Sequence, residues 1–279
     1  MGLGIEPLGG AIGASITGVD LRDVDETTFG RILEAWYAHL VLFFPDQHLS
    51  PAEQRDFAAR FGPLEVHPLT EKLDGVPEVT LLHSERGGRA DVWHTDVTFS
   101  DSPPIAAVLH QVSGPTVGGD TMWANQYLAF ESLSAPIRAL CEGLTAIHTA
   151  WSQGRPDLSA ERPVVLGHPV TGRRALAVNR LFTKRIPQLT TEESDALLGQ
   201  LFDWGDRPEF TVRWRWTPGD VVIWDNRCTR HYAIGDYDAE RVMHRVTVLG
   251  DYCAPAGPSP WPHHDPGRLS ARSAYAMLR

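Results

Sequence analysis

Cysteine is scarce in this chain: Cys141, Cys228 and Cys253 are the only three in 279 residues, and no C-x-x-C spacing occurs. A disulfide framework or a cysteine zinc site is therefore not expected. Long apolar runs are missing too, since nothing approaches the roughly 20 residues of a membrane helix. The opening Met-Gly-Leu-Gly-Ile-Glu has neither a basic stretch nor an apolar core, so no signal peptide is expected. Glu6 stands where a myristoylation signal requires Ser or Thr. Positive charge is in deficit, with 25 Lys and Arg against 35 Asp and Glu and a net charge of −10. A surface of that sign disfavours nucleic acid and anionic lipid, although it leaves room for a local basic pocket. The expectation is a soluble, cytoplasmic protein with no nucleic-acid or membrane partner; its oligomeric state, homo-oligomer included, is left open.

What is present is ordinary for a globular protein: 42% hydrophobic and 22% charged residues. The chain is long enough to bury a substantial core, and residues 1–279 are read as a single domain. Gly and Pro, 25 and 21 in number, are scattered between short apolar runs, a distribution that implies many brief strands. The expected strands are Leu40–Phe44, Val79–Leu82, Trp93–Phe99, Ala106–His110, Ala175–Val178, Thr211–Trp216, Val221–Trp224 and Arg241–Leu249. Ser50-Pro-Ala-Glu53 and Thr190-Thr-Glu-Glu193 are helix-opening signatures, with Gly62 and Gly205 near the ends. Two further helices are expected, from Asp25 to about His39 and from Ser134 to Gly143. The fold class is mainly β with peripheral helices, a barrel or a double-sheet jelly roll; periodicity does not separate the two. The tail from Ala254 to Arg279, with five Pro, is expected to wrap the surface or fray.

Twelve histidines raise the question of a metal site. Chance alone gives about 1.5 H-x-[DE] triplets at this composition, so the triplet by itself carries no weight. Three occur: His83-Ser-Glu85, His94-Thr-Asp96 and His263-His-Asp265. The first runs into Arg-Gly-Gly-Arg, which reads as a loop tip, and the third lies in the Pro-rich tail. His94 and Asp96 sit in Trp93-His-Thr-Asp-Val-Thr-Phe99, whose composition is that of a strand, and a period of two puts both on one face. His231, just past the expected Val221–Trp224 strand, can supply the third ligand. Two His and one carboxylate form the facial triad of non-haem Fe(II) oxygenases, and zinc hydrolases share that ligand count.

The segment Arg241-Val-Met-His-Arg-Val-Thr-Val-Leu249 alternates, so Arg241, Met243 and Arg245 share one face and Val242, His244, Val246 and Val248 the other. Two guanidinium groups two positions apart repel unless anions lie between them. Salt bridges within the protein are the plain explanation; two anionic ligands, a cosubstrate and a substrate, are the functional one. His244, on the opposite face, is read as a satisfied structural histidine.

Several ordered motifs resemble the taurine dioxygenase family of Fe(II)- and 2-oxoglutarate-dependent oxygenases. They are Trp93-His-Thr-Asp-Val-Thr-Phe99, Gly118-Gly-Asp-Thr121, Trp214-Arg-Trp216 with Pro218-Gly-Asp220, Trp224-Asp-Asn226, His231-Tyr232 and Arg241-Val-Met-His-Arg245. The resemblance runs from about Ile5 to Tyr252. It implies a double-stranded β-helix (jelly roll) core. It implies that His94, Asp96 and His231 hold Fe(II) and that Thr121 and Arg241 hold the distal carboxylate of 2-oxoglutarate. Arg245 and His67 would meet the anionic head of the primary substrate, and Phe182 would form an aromatic wall. Thr70 and Ala90 replace a Tyr and an Asn that contact taurine in the family, and the stretch between His148 and His168 is shorter. These departures point to a larger or more apolar sulfonate, sulfate ester or carboxylate.

The implied chemistry consumes dioxygen and decarboxylates 2-oxoglutarate to succinate and CO2 while a small organic anion is hydroxylated. An alternative keeps the cofactors and changes the substrate to an amino acid or natural product. A zinc-dependent hydrolase has no use for a Thr121–Arg241 pair, and a silent jelly-roll binding module has no reason to keep all three ligands.

Overall fold

The computed structural model describes residues 2–66, 71–84, 90–254 and 258–265 of the chain. Its main element is an eight-stranded sheet in the order Gly4–Pro7, Ala14–Thr17, Val41–Phe44, Val221–Asp225, Ala106–Ser113, Val242–Val248, Val76–His83, Lys72–Leu73. All its pairings are antiparallel except that of Ala14–Thr17 with Val41–Phe44. A three-stranded antiparallel sheet, Thr211–Trp214, Thr121–Asn125, Thr229–Ala233, packs against one face.

Alternation along the strands decides which core each side chain joins. Phe43, Ala107, Leu109, Val222, Trp224 and Met243 meet Trp123 and Val212 of the smaller sheet, closing a jelly roll. Their neighbours Leu42, Phe44, Val108, Ile223, Val246 and Val248 point the other way, into a second core shared with two helices. The first of these helices, Glu26–His39, is capped by Asp25, which accepts from Thr28 N–H, and buries Ile32, Ala35 and Trp36. It stops abruptly at Leu40, which takes φ 67° and donates its N–H to Trp36 O, so that Val41 enters the sheet at once. The second, Pro51–Ala59, has the expected reciprocal Ser50–Glu53 capping box. Its buried Gln54 donates to Val108 O and His244 O, pinning the helix across two strands.

The other expected helices appear as Ala135–Glu142 and Thr191–Gly205, the latter with its Thr190–Glu193 box. Seven of the eight expected strands have counterparts within a few residues. Trp93–Phe99 does not: His94 forms an isolated bridge to His231, and residues 96–99 are a turn in which Val97 has φ 51°. His231 follows the Val221–Asp225 strand, as expected, and stands within a further strand, Thr229–Ala233. Part of the 254–279 tail lies outside the described residues; in the described part, Ser259 Oγ donates to Gly143 O.

Candidate metal and 2-oxoglutarate site

His94 and His231 are joined before any side chain is considered. His94 N–H donates to His231 O at 3.0 Å and His231 N–H to His94 O at 2.7 Å, a reciprocal bridge between segments far apart in the chain. Their rings lie 4.0 Å apart between centroids. His94 Nδ1 is 2.7 Å from Val92 O, a contact that assigns the proton to Nδ1 and leaves the Nε2 lone pair free. Asp96 Oδ1 lies 3.7 Å from His94 Nε2 and 3.7 Å from His231 Nε2. Among the described residues this is the only set of three or more His, Cys, Asp or Glu that converges closely enough for a metal ion.

The electrostatics suit a divalent cation. Burial pushes the His94 and His231 imidazoles below their ordinary range, so both are neutral, the form that ligates. Burial opposes ionisation of Asp96, but the Arg245 guanidinium beside it does most to outweigh this, and its carboxyl lies below the usual range. Two neutral imidazoles and one carboxylate, all more than nine-tenths buried, give a hard-to-intermediate donor set of the facial-triad type.

Neither of the other two triplets forms such a set among the described residues. His83 closes the Val76–His83 strand and pairs with Glu240 at 2.8 Å, while Glu85 lies outside the described residues. His263 is exposed and pairs with Glu161 at 2.9 Å.

Thr121 and Arg241 meet on Trp216. The indole Nε1 donates to Thr121 Oγ1 at 2.9 Å, and the Arg241 guanidinium lies 5.8 Å from the Trp216 ring and 5.8 Å from the Tyr237 ring. Arg241 is 9% exposed, and its Nε and Nη2 are buried without hydrogen-bond partners. Burial disfavours its charge, with Tyr237 and Asp120 offsetting this in part, so an anion beside it is strongly favoured. The Gly118-Gly119 turn makes the arrangement: a Cβ on Gly118, at φ 82°, would sit 2.6 Å from Asp236 O. Gly119 N–H donates to Asp236 Oδ1 and Ile234 N–H to Asp120 O, docking this turn on the loop that leads to Tyr237 and Arg241.

Arg245 shares the face of Arg241 and Met243, as the alternation implied, yet it is already engaged. Its Nη2 lies 2.7 Å from Asp96 Oδ2, and its guanidinium stands 6.0 Å from the Trp224 ring. The plain salt-bridge explanation thus holds for Arg245, whereas among the described residues Arg241 makes no salt bridge. His244 faces the opposite way beside His110, but its Nδ1 is buried without a hydrogen bond, so the expectation of a satisfied histidine is corrected. Phe182 is 2% exposed and lies edge-on to His94 at 6.4 Å; with Phe99, Ala150, Val97 and Leu181 it forms an apolar wall. His67 and Thr70 lie outside the described residues. Sequence reasoning assigned no part to Trp216, which ties Thr121 to Arg241; its place in a motif was noted, but no local pattern marks such a role.

Comparison with known proteins agrees with this geometry. The family model "Taurine catabolism dioxygenase TauD, TfdA family" matches residues 4–247. An alpha-ketoglutarate-dependent sulfate ester dioxygenase of Pseudomonas putida is 39% identical over 272 residues, covering 89% of this chain and 90% of that protein. An (S)-phenoxypropionate/alpha-ketoglutarate-dioxygenase of Sphingobium herbicidovorans is 34% identical over 278 residues, covering 88% of this chain and 95% of that protein. The crystal structure of a taurine dioxygenase from Burkholderia xenovorans superposes with a TM-score of 0.82 at 40% identity, covering 89% of this chain and 91% of that one. The chain belongs to the taurine catabolism dioxygenase family. It is an oxidoreductase whose cofactor chemistry uses Fe(II), 2-oxoglutarate and dioxygen.

Proposed function

We propose that this dioxygenase oxidises a small organic anion with an apolar body, such as a sulfate ester, a sulfonate or an aryloxyalkanoate. The observation that carries the reading is the placement of one cation and one apolar wall around the triad. Arg245 contacts Asp96, and Phe182, clustered with Phe99, Val97 and Leu181, lies edge-on to His94. A head group held at Arg245 and a body laid along the wall would bring an intervening carbon beside the metal position.

In this reading His94, Asp96 and His231 hold Fe(II), Thr121 and Arg241 take the distal carboxylate of 2-oxoglutarate, and Arg245 takes the substrate head. His67 would also touch that head, and it lies outside the described residues. Bound Fe(II) couples decarboxylation of 2-oxoglutarate by dioxygen to substrate oxidation. The chain supplies the rest: Val92 O sets the His94 tautomer, Trp216 orients the Thr121 hydroxyl, and the wall excludes water. Hydroxylation of the carbon bonded to a sulfate oxygen, a sulfonate sulfur or an ether oxygen would give an adduct that breaks down to a carbonyl compound and, respectively, sulfate, sulfite or an alcohol.

Among the described residues no helix is long and apolar enough to cross a membrane. The net charge of −10 and three free cysteines support the further reading of a cytoplasmic enzyme without nucleic-acid or lipid partners. Contributions to the site from residue 94 through 245 support treating the whole chain as one catalytic domain.

The test is succinate formation with Fe(II), 2-oxoglutarate and a panel of alkyl sulfates, sulfonates and aryloxyalkanoates, read together with release of sulfate, sulfite or phenol. Stimulation only by amino acids or uncharged compounds would reject the anionic substrate.

A further inference from the structure

Asp96 is the one member of the triad that stands on no strand or bridge. His94 and His231 secure each other through reciprocal backbone bonds, but the chain turns at residues 96–99. Immediately after the carboxylate, Val97 adopts φ 51°, a left-handed conformation that a β-branched side chain resists sterically. Such a turn persists only where its surroundings over-determine it.

A single buried side chain from 130 residues away does this. Asn226 is 1% exposed. Its Oδ1 accepts from Asp96 N–H at 2.9 Å, and its Nδ2 donates to Asp96 O at 3.1 Å and to Pro104 O at 2.9 Å. Both peptide groups flanking the Asp96 Cα are thereby held, as a neighbouring strand would hold them, and both amide hydrogens of Asn226 are used. Pro104 lies at the far end of the same loop, so one amide ties the two ends of residues 96–104 together.

Asn226 is itself fixed. Its N–H donates to Ile105 O at 2.8 Å. The preceding Asp225 is bound by Arg227, at 2.7 and 2.9 Å, and by His168 Nε2 at 3.0 Å, all of them buried. The same turn leads into the strand that carries His231, where Thr95 Oγ1 donates to Thr229 O at 2.8 Å. One rigid turn therefore sets the positions of both the second histidine and the carboxylate.

We propose that Asn226 is a positioning residue of the metal site. It takes the place of a missing strand neighbour at Asp96, keeps Val97 in its disfavoured conformation, and so aims Asp96 Oδ1 at the two Nε2 atoms. The inference rests on the reading of His94, Asp96 and His231 as metal ligands. It makes Asn226 matter for metal affinity in the folded protein, beyond any effect on folding.

Four variants test it: Asn226→Ala, the isosteric Asn226→Asp, the double variant Val97→Gly/Asn226→Ala, and Asp96→Ala. For each, the anaerobic Fe(II) dissociation constant is measured by tryptophan fluorescence, and the metal-free melting temperature by circular dichroism. Asn226→Ala should weaken Fe(II) binding about 10- to 100-fold, the usual range for groups that orient metal ligands. Asn226→Asp should lose at least as much, because an oxygen then faces two carbonyl oxygens; it serves as the primary variant if the alanine variant does not fold. The double variant should regain part of the affinity, since glycine occupies the left-handed region without a steric penalty. Fe(II) affinities within twofold of the parent for the Asn226 variants overturn the inference, as does a double variant no tighter than Asn226→Ala. An Asp96→Ala variant that binds Fe(II) as the parent does overturns instead the ligand assignment beneath it.

Discussion

The guanidinium of Arg245 and the carboxylate of Asp96 are in direct contact, Nη2 to Oδ2 at 2.7 Å, while the other oxygen, Oδ1, faces both histidine Nε2 atoms. The Arg245 side chain is 21% exposed and that of Asp96 only 5%. An anion arriving from outside can therefore reach the cation but not the carboxylate. In the proposed function, Arg245 would serve a metal ligand and a substrate head group at once.

Arg245→Ala should accordingly raise the substrate KM. Truncating one partner of a partly buried charge pair costs about 2–5 kcal/mol, which is about 30- to 5,000-fold in affinity. Fe(II) affinity should fall as well, because Asp96 Oδ2 loses its counterion, while the 2-oxoglutarate KM should change little. Arg245→Lys should recover only part, since an ammonium has no planar fork. Michaelis constants for both substrates and an Fe(II) titration check this, and an unchanged substrate KM in Arg245→Ala would remove the head-group role.

Arg241 presents the opposite case: its Nε and Nη2 are buried with no hydrogen-bond partner among the described residues. Its replacement by Ala should raise the 2-oxoglutarate KM by at least about 30-fold and suppress decarboxylation in the absence of primary substrate. Thr121→Val should act in the same direction but by about 2- to 13-fold, the worth of one neutral hydrogen bond. The ratio of the two effects is the measurement; if Arg241→Ala lowers the melting temperature but spares the KM, the arginine is only structural.

Asp96→Ala should abolish the weak visible charge-transfer band that Fe(II) and 2-oxoglutarate develop together under anaerobic conditions. His263→Ala should keep that band and keep turnover within a few-fold of the parent, because His263 pairs with Glu161 at the surface. Anaerobic spectra of the two variants decide between the triplets, and a His263→Ala variant without the band would show that the wrong one was chosen.

His110 offers a pH test away from the triad. Burial, with His244 and His48 nearby, lowers its pKa to about 4 from 6.5. A histidine kept neutral in the folded state contributes stability that is complete above the unfolded value and is lost as pH falls, because the unfolded chain binds the proton first. The melting temperature should therefore decline from about pH 6.5 towards about pH 4. His110→Gln should flatten that decline relative to the parent, whatever its effect at neutral pH; an equal slope in both would contradict the assignment.

Interactions spanning three or four residues were legible in the chain itself. The Ser50–Glu53 and Thr190–Glu193 boxes formed as read, since each is complete within one helical turn. The alternation after Arg241 also held: pleating puts Met243 in one core and Val246 and Val248 in the other, and Arg241 and Arg245 lie near Trp216 and Trp224 of Met243's core. The same logic misread Trp93–Phe99. Its β-branched and aromatic composition argued for a strand, but local propensity yielded to the Asn226 clamp and the chain turned at Val97.

The residue types for a metal, a 2-oxoglutarate and an anion site are thus written in the sequence, along with the helices and most strands that frame them. Which arginine is in direct contact with a carboxylate, and which has no such contact among the described residues, is not. Asp96 reaches Arg245 across about 150 residues of chain, and Trp216 links Thr121 to Arg241. Those contacts depend on how two sheets close over one core, and no periodicity within a single segment encodes a distance between segments.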